Sequence, residues 1–174
     1  MIKKAERTDT MLKIRPFAPD DSPRLVLLFR EMQRHYGVPV PQADEIGASL
    51  EALPAGAEIL VAEAEVIMGF LAFSPTYPGP GLRPGLFMKE LFVSERARGR
   101  GVGKALLRAL ARIALERGFA RIDWTADRRN ERLLRFYAEL GAQAQEEKVF
   151  FRLSADALIE VAGATGVSRS FSPD

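Results

Sequence analysis

The sequence of 174 residues contains no cysteine and one histidine. The lack of cysteine excludes disulfide bonds, thiolate zinc sites and a cysteine nucleophile, and His35 alone cannot build a histidine-rich metal centre. We therefore expect no metal cofactor. A long apolar run is also missing, and the basic residues in 1–10 are not followed by the hydrophobic segment of a secretory signal. These absences lead us to expect a cytoplasmic protein with no membrane partner.

A strong excess of one charge is likewise absent. Lys and Arg number 25 against 23 Asp and Glu, which gives a net charge of +2. This balance does not favour a nucleic-acid partner, because the negatively charged phosphates of a nucleic acid bind proteins with a large positive surface. The 47% of hydrophobic residues and 28% of charged residues are typical of a globular chain and exclude general disorder.

The apolar residues follow two periodicities along the chain. Alternation or short apolar runs predict strands at 12–17, 58–62, 66–73, 86–93, 121–126 and 148–153. Spacings of three and four predict helices that begin near Asp20 and that cover 43–53, 101–117 and 130–140. Interleaved strands and helices indicate an α/β domain. We expect an N-terminal arm over 1–11, one domain over 12–153, and a short helix with a mobile tail over 154–174.

The segment over 91–107 carries the clearest chemical signal, since a strand runs there into a glycine-rich turn and then into the most amphipathic helix. Glycines at 99, 101 and 103 let the backbone curl around an anion, the helix N-terminus adds partial positive charge, and Arg98, Arg100 and Lys104 add full charges. The pattern predicts a phosphate-binding turn. Two alternatives are a tight turn with solvated arginines and a nucleic-acid patch over 96–104.

Two common phosphate loops do not fit this turn. A Walker loop requires glycine at position 98 and Ser or Thr at position 105, where this chain has Arg98 and Ala105. A dinucleotide fingerprint requires its third glycine where Lys104 stands.

The turn resembles a different signature. Residues 98–103, Arg-Gly-Arg-Gly-Val-Gly, are similar to the Arg/Gln-x-x-Gly-x-Gly/Ala motif of the GNAT superfamily of N-acetyltransferases, and residues 130–142 resemble its second hallmark. The resemblance covers 12–153. It implies an α/β GNAT fold, a mixed, twisted, mostly antiparallel sheet flanked by helices, whose fourth and fifth strands diverge to admit the pantetheine arm of acetyl-CoA. Residues 68–73, 87–93 and 140–143 are most similar to the diamine and polyamine branch.

The resemblance also implies a set of cofactor contacts. Main-chain groups of Leu91, Phe92 and Val93 would pair with the pantetheine amides. Backbone N–H groups would hold the pyrophosphate along Arg98, Gly99, Arg100, Gly101, Val102, Gly103 and Lys104. Asn130 would contact the cofactor through its side chain, although it is also a good helix N-cap. Arg96 or Arg135 would approach the 3′-phosphate.

Two residues are implied in catalysis. An alkyl ammonium of pKa ~10.4 is neutral in only ~1 molecule in 10³ at pH 7, so something must accept its proton. Glu90 is the candidate base, directly or through water, and Tyr137 the candidate acid that protonates the CoA thiolate. The polyamine branch has two adjacent acids where this chain has Lys89 and Glu90. Because neighbours in a strand point to opposite faces, the side that Glu90 faces stays open.

These implications predict an acetyl-CoA-dependent N-acetyltransferase that acts on a small primary amine, such as a diamine, a polyamine or an amino acid, by direct attack in a ternary complex. His35, Tyr36 and Tyr77 are candidate substrate contacts, and the resemblance implies a homodimer. The alternatives are a non-catalytic CoA-binding regulatory module and an acetyltransferase for a protein N-terminus or lysine.

Overall fold

The computed structural model of the chain describes residues 11–163, so the predicted N-terminal arm and the tail beyond residue 163 lie almost wholly outside the described residues. The chain divides into two compact units, a larger one that ends at Thr125 and a smaller one that begins at Ala126. Each unit is described in turn.

The first unit is built on a five-stranded sheet. Its strands are β1 Lys13–Pro16, β2 Glu58–Glu63, β3 Ile67–Thr76, β4 Gly85–Val93 and β5 Ile122–Trp124, and they lie side by side in chain order. The first four are antiparallel, whereas β5 runs parallel to β4. Three α-helices complete the unit, α1 Ser22–Tyr36, α2 Ala43–Glu51 and α3 Val102–Glu116, together with three short 3-10 helices at Pro19–Asp21, Pro80–Leu82 and Glu95–Ala97. The predicted mixed, mostly antiparallel sheet flanked by helices is confirmed.

The two faces of the sheet carry separate helices. Phe70 of β3 belongs to a buried apolar cluster with residues of α1 and α2, including Leu25, Met32 and Leu50. Neighbouring residues in a strand point to opposite faces, so Leu71 points away from this cluster. Helix α3 contacts β2, β3 and β4, and buries Leu106 and Leu110 completely. The sheet therefore separates α1 and α2 from α3.

Strands β4 and β5 pair over only three residues. Leu86, Phe87 and Met88 are opposite Ile122, Asp123 and Trp124, and no pair follows among the described residues. From Lys89 to Val93, β4 keeps β3 on one side and has no β5 residue on the other. This agrees with the divergence of the fourth and fifth strands that the family resemblance implies.

The second unit contains α4 Glu131–Glu139 and α5 Ala155–Val161. The prediction of a last strand over 148–153 is wrong, because these residues form no strand. A strand needs a partner to satisfy its backbone, and the described residues of this unit contain no other strand. Helix α5 lies where the sequence predicts a short helical stretch.

A charged cluster fixes the start of α1 to the sheet. The buried carboxylate of Asp21 accepts hydrogen bonds from Nη1 and Nη2 of Arg15 in β1, at 2.6 and 2.8 Å, and from the backbone N–H of Ala18 at 2.9 Å. Nε of Arg15 also donates to Glu63 in β2, at 2.8 Å. The Arg15 hydrogen bonds lower the pKa of Asp21 below its ordinary value of 3.8, against the opposing effect of burial. The cluster joins two strands to the first helix.

We expect Asp21→Asn to destabilise the fold by about 1–3 kcal/mol at neutral pH, because the half-buried Arg15 guanidinium loses one of its two ionised partners and keeps only Glu63. The pKa of Asp21 is lowered in the folded state, so its contribution is complete above 3.8 and is lost as the pH falls through the lower folded value. Urea unfolding of both proteins at several pH values measures the difference, which should shrink in acid. The exposed neighbour variant Asp20→Asn is the control, and an equal loss there would contradict the assignment.

Candidate active site

The unpaired edge of β4 presents backbone groups at alternate residues. Ser94 N–H donates to the carbonyl of Met68 at 2.9 Å, and Phe92 is opposite Phe70. In an antiparallel ladder only every second residue bonds to the same neighbour. Phe92 therefore directs its backbone to β3, whereas Leu91 and Val93 direct theirs to the side that β5 has left. Of the three predicted backbone contacts, two lie on the unpaired edge.

The backbone N–H of Leu91 and the backbone carbonyl of Val93 are both hydrogen-bonded to charged side chains. Leu91 N–H donates to Oε1 of Glu90 at 3.2 Å, and the Val93 carbonyl accepts from Nε of Arg98 at 3.0 Å. The Arg98 guanidinium lies 5.6 Å from the centre of the Phe92 ring. The edge thus offers one donor and one acceptor two residues apart, which is the spacing that an amide-containing chain matches when it binds as a strand.

A β-bulge decides the side that Glu90 faces. Met88 is opposite Phe73 and Glu90 is opposite Ala72, so Lys89 is an extra residue in β4. Regular alternation would put Glu90 on the face of Met88, but the extra residue moves it to the face that carries Phe92. Lys89 is exposed. Glu90 therefore points to the α1 side of the sheet.

The C-terminal end of α1 meets Glu90 on that face. The Tyr36 hydroxyl donates to Oε1 of Glu90 at 2.7 Å, and the His35 ring lies 5.5 Å from the Tyr36 ring and 6.1 Å from the Phe92 ring, between centres. The structure thus brings together four of the predicted site residues, His35, Tyr36, Glu90 and Phe92. Tyr77 is 69% exposed, and within residues 11–163 no hydrogen bond or ring contact joins it to Glu90.

The glycine-rich turn has the backbone shape of an anion site. Gly99 and Gly101 have φ of +76° and +80°, which other residues rarely adopt. The first backbone hydrogen bond of α3 runs from Ala105 N–H to the Gly101 carbonyl, at 2.9 Å. Hence the N–H groups of the three preceding residues have no acceptor within the helix. The first turn of α3 has no acidic residue, and Arg100 and Lys104 are exposed beside it. This end of α3 fits a diphosphate.

Two residues that support the turn were not singled out from the sequence. Oε1 of Glu31 in α1 accepts from Ser94 Oγ at 3.1 Å and from Glu95 N–H at 2.9 Å, and so fixes the end of β4. A Cβ on Gly69 would lie 2.8 Å from the Phe92 carbonyl oxygen and 3.4 Å from Val102 Cγ1. A glycine inside a strand signals such a close approach, whereas nothing in the pattern of α1 distinguishes Glu31.

The remaining predicted residues belong to the second unit. Asn130 is the N-cap of α4, and its Oδ1 accepts from Leu133 N–H at 3.1 Å. This bond accounts for asparagine as a cap, and its contact with a cofactor stays a prediction. Tyr137 is buried, and its ring lies 5.3 Å from that of Phe136. Arg135, like Arg96 in the first unit, is exposed.

The sequence profile described as the Acetyltransferase (GNAT) family matches residues 25–142. The chain belongs to this family. The matched range contains both motifs on which the resemblance is based, so that prediction is confirmed, and the chain is an acetyltransferase.

Individual relatives agree with the family assignment. The chain is 37% identical over 93 residues to the L-ornithine N5-acetyltransferase NATA1 of Arabidopsis thaliana, a match that covers 53% of this chain and only 41% of that protein. It is 28% identical to the thialysine N-epsilon-acetyltransferase of Bos taurus, over 86% of this chain and 96% of that protein. The structure of the V. cholerae integron cassette protein VCH_CASS6 superposes with a TM-score of 0.80 at 30% identity, over 87% of this chain and 97% of that one.

Among residues 11–163, no group of three or more His, Asp or Glu side chains could hold a metal ion. None of the helices in that range has the length and apolar composition needed to cross a membrane.

We expect Gly101→Ala to weaken the binding of CoA about five- to thirtyfold, because a Cβ at positive φ costs roughly 1–2 kcal/mol and changes the turn. Titration calorimetry with CoA measures the dissociation constant. Gly47→Ala is a matched control: Gly47 lies inside α2, its φ is not positive, and a Cβ there meets no atom within 4 Å. That variant should bind CoA like the parent protein, and equal weakening in both would argue against a diphosphate at the turn.

Proposed function

We propose that this protein transfers an acetyl group from acetyl-CoA to a primary amine of a small molecule, by direct attack within a ternary complex. The observation that carries the proposal is the juxtaposition of the unpaired β4 edge with the Glu90 carboxylate, since Leu91 N–H lies 3.2 Å from Oε1. One edge offers strand-like backbone groups for an amide chain, and the same point of β4 carries a carboxylate that can accept a proton.

The residues present fit acetyl-CoA at both ends of this edge. In this proposal Leu91 N–H and the Val93 carbonyl bind the pantetheine amides, and the turn from Arg98 to Lys104 with the start of α3 binds the diphosphate. When bound, acetyl-CoA supplies an acetyl thioester. A backbone N–H of the unpaired edge would stabilise the negative charge that develops on the carbonyl oxygen during attack.

Glu90 serves as the proton acceptor in this proposal. Loss of the proton from an alkyl ammonium to water at pH 7 adds ~4–5 kcal/mol to the free-energy barrier of the reaction. A carboxylate held at the site removes part of that cost. The Tyr36 hydrogen bond of 2.7 Å keeps Oε1 in place. The acidic group at this point also favours an acceptor that arrives as a cation.

Tyr137 serves as the acid that protonates the leaving sulfur. Tyr137 is buried, and its hydroxyl is therefore shielded from exchange with bulk water, which supports this role. A buried tyrosine hydroxyl also needs a polar partner. Tyr137 also follows Asn130 by seven residues, which puts both on one face of α4. No acyl-enzyme is needed, in keeping with a chain that has no cysteine.

The acceptor is proposed to be a small molecule on the basis of relatives named for ornithine and thialysine. Both of those names describe an amine on a short side chain. Lys89 takes the place of the first of the two acids in the polyamine branch, so we favour an acceptor with one positive amine near Glu90 over a long polycation. His35 and Tyr36 are the proposed acceptor contacts. The near-neutral net charge argues against a nucleic-acid partner.

Incubation with acetyl-CoA and a panel of amines tests the reaction, with ornithine, thialysine, short diamines, amino acids and a peptide with a free N-terminus in the panel. Release of CoA thiol measures turnover without background, because the chain has no cysteine. We expect turnover on at least one small amine and a loss of about 10²-fold in kcat for Tyr137→Phe, with CoA binding unchanged.

Binding of acetyl-CoA without turnover on any amine, together with no effect of Tyr137→Phe, would instead indicate a regulatory CoA-binding module. Turnover on the peptide alone would indicate an acetyltransferase for protein N-termini.

A homodimer is proposed from the second unit. Its residues 149–153 include exposed apolar side chains, of which Phe150 and Phe151 are 61% and 86% exposed. An exposed apolar cluster of this kind is typical of a protein interface. A second copy of the chain that covered this segment would remove its aromatic rings from water.

We expect Phe151→Asp to convert a dimer into a monomer, because a charge in a covered apolar interface is strongly unfavourable. Light scattering coupled to gel filtration measures the mass. Leu115 of α3 is 75% exposed and lies outside the segment, so Leu115→Asp is the control and should leave the mass unchanged. A monomeric parent protein, or a dimer that survives Phe151→Asp, would contradict this interface.

A further inference from the structure

The Glu90 carboxylate has two donors on a single oxygen. Oε1 accepts from Tyr36 Oη at 2.7 Å and from Leu91 N–H at 3.2 Å, so both of its lone pairs are used. Leu91 N–H is also the donor that the unpaired edge presents toward the proposed acetyl-CoA site. Leu91 N–H is thus the hydrogen-bond donor to the Glu90 carboxylate in the free protein and to the cofactor in the proposed complex.

This bond follows from the divergence of the strands. A backbone N–H that is left without a ladder partner needs another acceptor or water. Glu90 stands one residue before Leu91, at the bulge, where its carboxylate can turn back onto the edge. Arg98 satisfies the Val93 carbonyl in the same manner, at 3.0 Å. The edge is therefore closed on itself by two side chains of opposite charge.

We propose that Glu90 caps Leu91 N–H in the free protein, and that a carbonyl group of the bound cofactor displaces this cap and thereby frees one acceptor position on Oε1. The inference rests on the proposed function of the edge. The freed acceptor position would lie beside the pantetheine amide carbonyl that took its place. Cofactor binding would thereby add an acceptor position to the carboxylate before the amine enters.

The cap predicts that removal of the carboxylate strengthens cofactor binding, although Glu90 is required for transfer. The probes are acetyl-CoA and ADP, which carries the diphosphate but no pantetheine arm. We expect the ratio of the two affinities, acetyl-CoA over ADP, to rise about three- to tenfold in Glu90→Ala, and by less in Glu90→Gln, whose amide oxygen still accepts a neutral hydrogen bond.

The ratio of the two affinities cancels any change in electrostatic attraction that acts equally on acetyl-CoA and ADP. Glu95 lies closer along the chain to the phosphate turn and is exposed, so Glu95→Ala changes the attraction for both anions and should leave the ratio as it is. A ratio that does not rise in Glu90→Ala, or that rises equally in Glu95→Ala, would overturn the cap.

A second measurement needs no cofactor. The Leu91 amide proton resonance in the free protein should move upfield in Glu90→Ala, while that of Phe92, whose backbone faces β3, should move little. Equal small shifts at both amides would overturn the cap even if Glu90→Ala altered affinity for another reason.

The outcomes separate the cap from the proposed function. Turnover on an amine with an unchanged affinity ratio would remove the cap and leave the acetyltransferase reaction. A ratio that rises as expected, without turnover on any amine, would keep the cap and remove the proposed small-amine reaction.

Discussion

The need of backbone amides for a partner is the constraint on which this site depends. Where β4 and β5 separate after Met88, the polar groups of Leu91 and Val93 can no longer bond within a ladder. The molecule satisfies them with Glu90 and Arg98, which are charged and partly or largely exposed, and therefore easier to displace than a strand would be. An edge of this kind is stable alone and still open to a ligand that binds as a strand.

Helix α1 connects the separate parts of the site in the first unit. Its start is held to β1 by Asp21 and Arg15, its middle holds the end of β4 through Glu31, and its last turn carries the Tyr36 hydroxyl to Glu90. One rigid element thus spans the distance between the carboxylate and the turn that precedes α3. Its position is fixed at three points along its length, so the relative placement of these groups does not depend on a flexible loop.

Local signals explain most of what could be predicted. The periodicity of the apolar residues and the turn residues predict every strand of the sheet and every α-helix close to its observed bounds, because each such signal acts over a few residues. The glycines at 99 and 101 are found at positive φ for the same reason. The prediction of a strand over 148–153 is wrong, because the alternation of apolar residues indicates a tendency to form a strand but not whether a second strand is available to pair with it. The hydrogen bonds of Glu31 and the bulge at Lys89 depend on neighbours distant in sequence, and no local pattern encodes them.

The bulge has a consequence for how this chain is compared with its relatives. Because one inserted residue reverses the face of every side chain before or after it, the identity of an acid in an alignment column says little about where that acid points. Lys89 and Glu90 must be matched to other acetyltransferases by the face they occupy, counted outward from the irregularity in β4. A single-residue deletion there would move a carboxylate from one face of the sheet to the other without altering its chemistry.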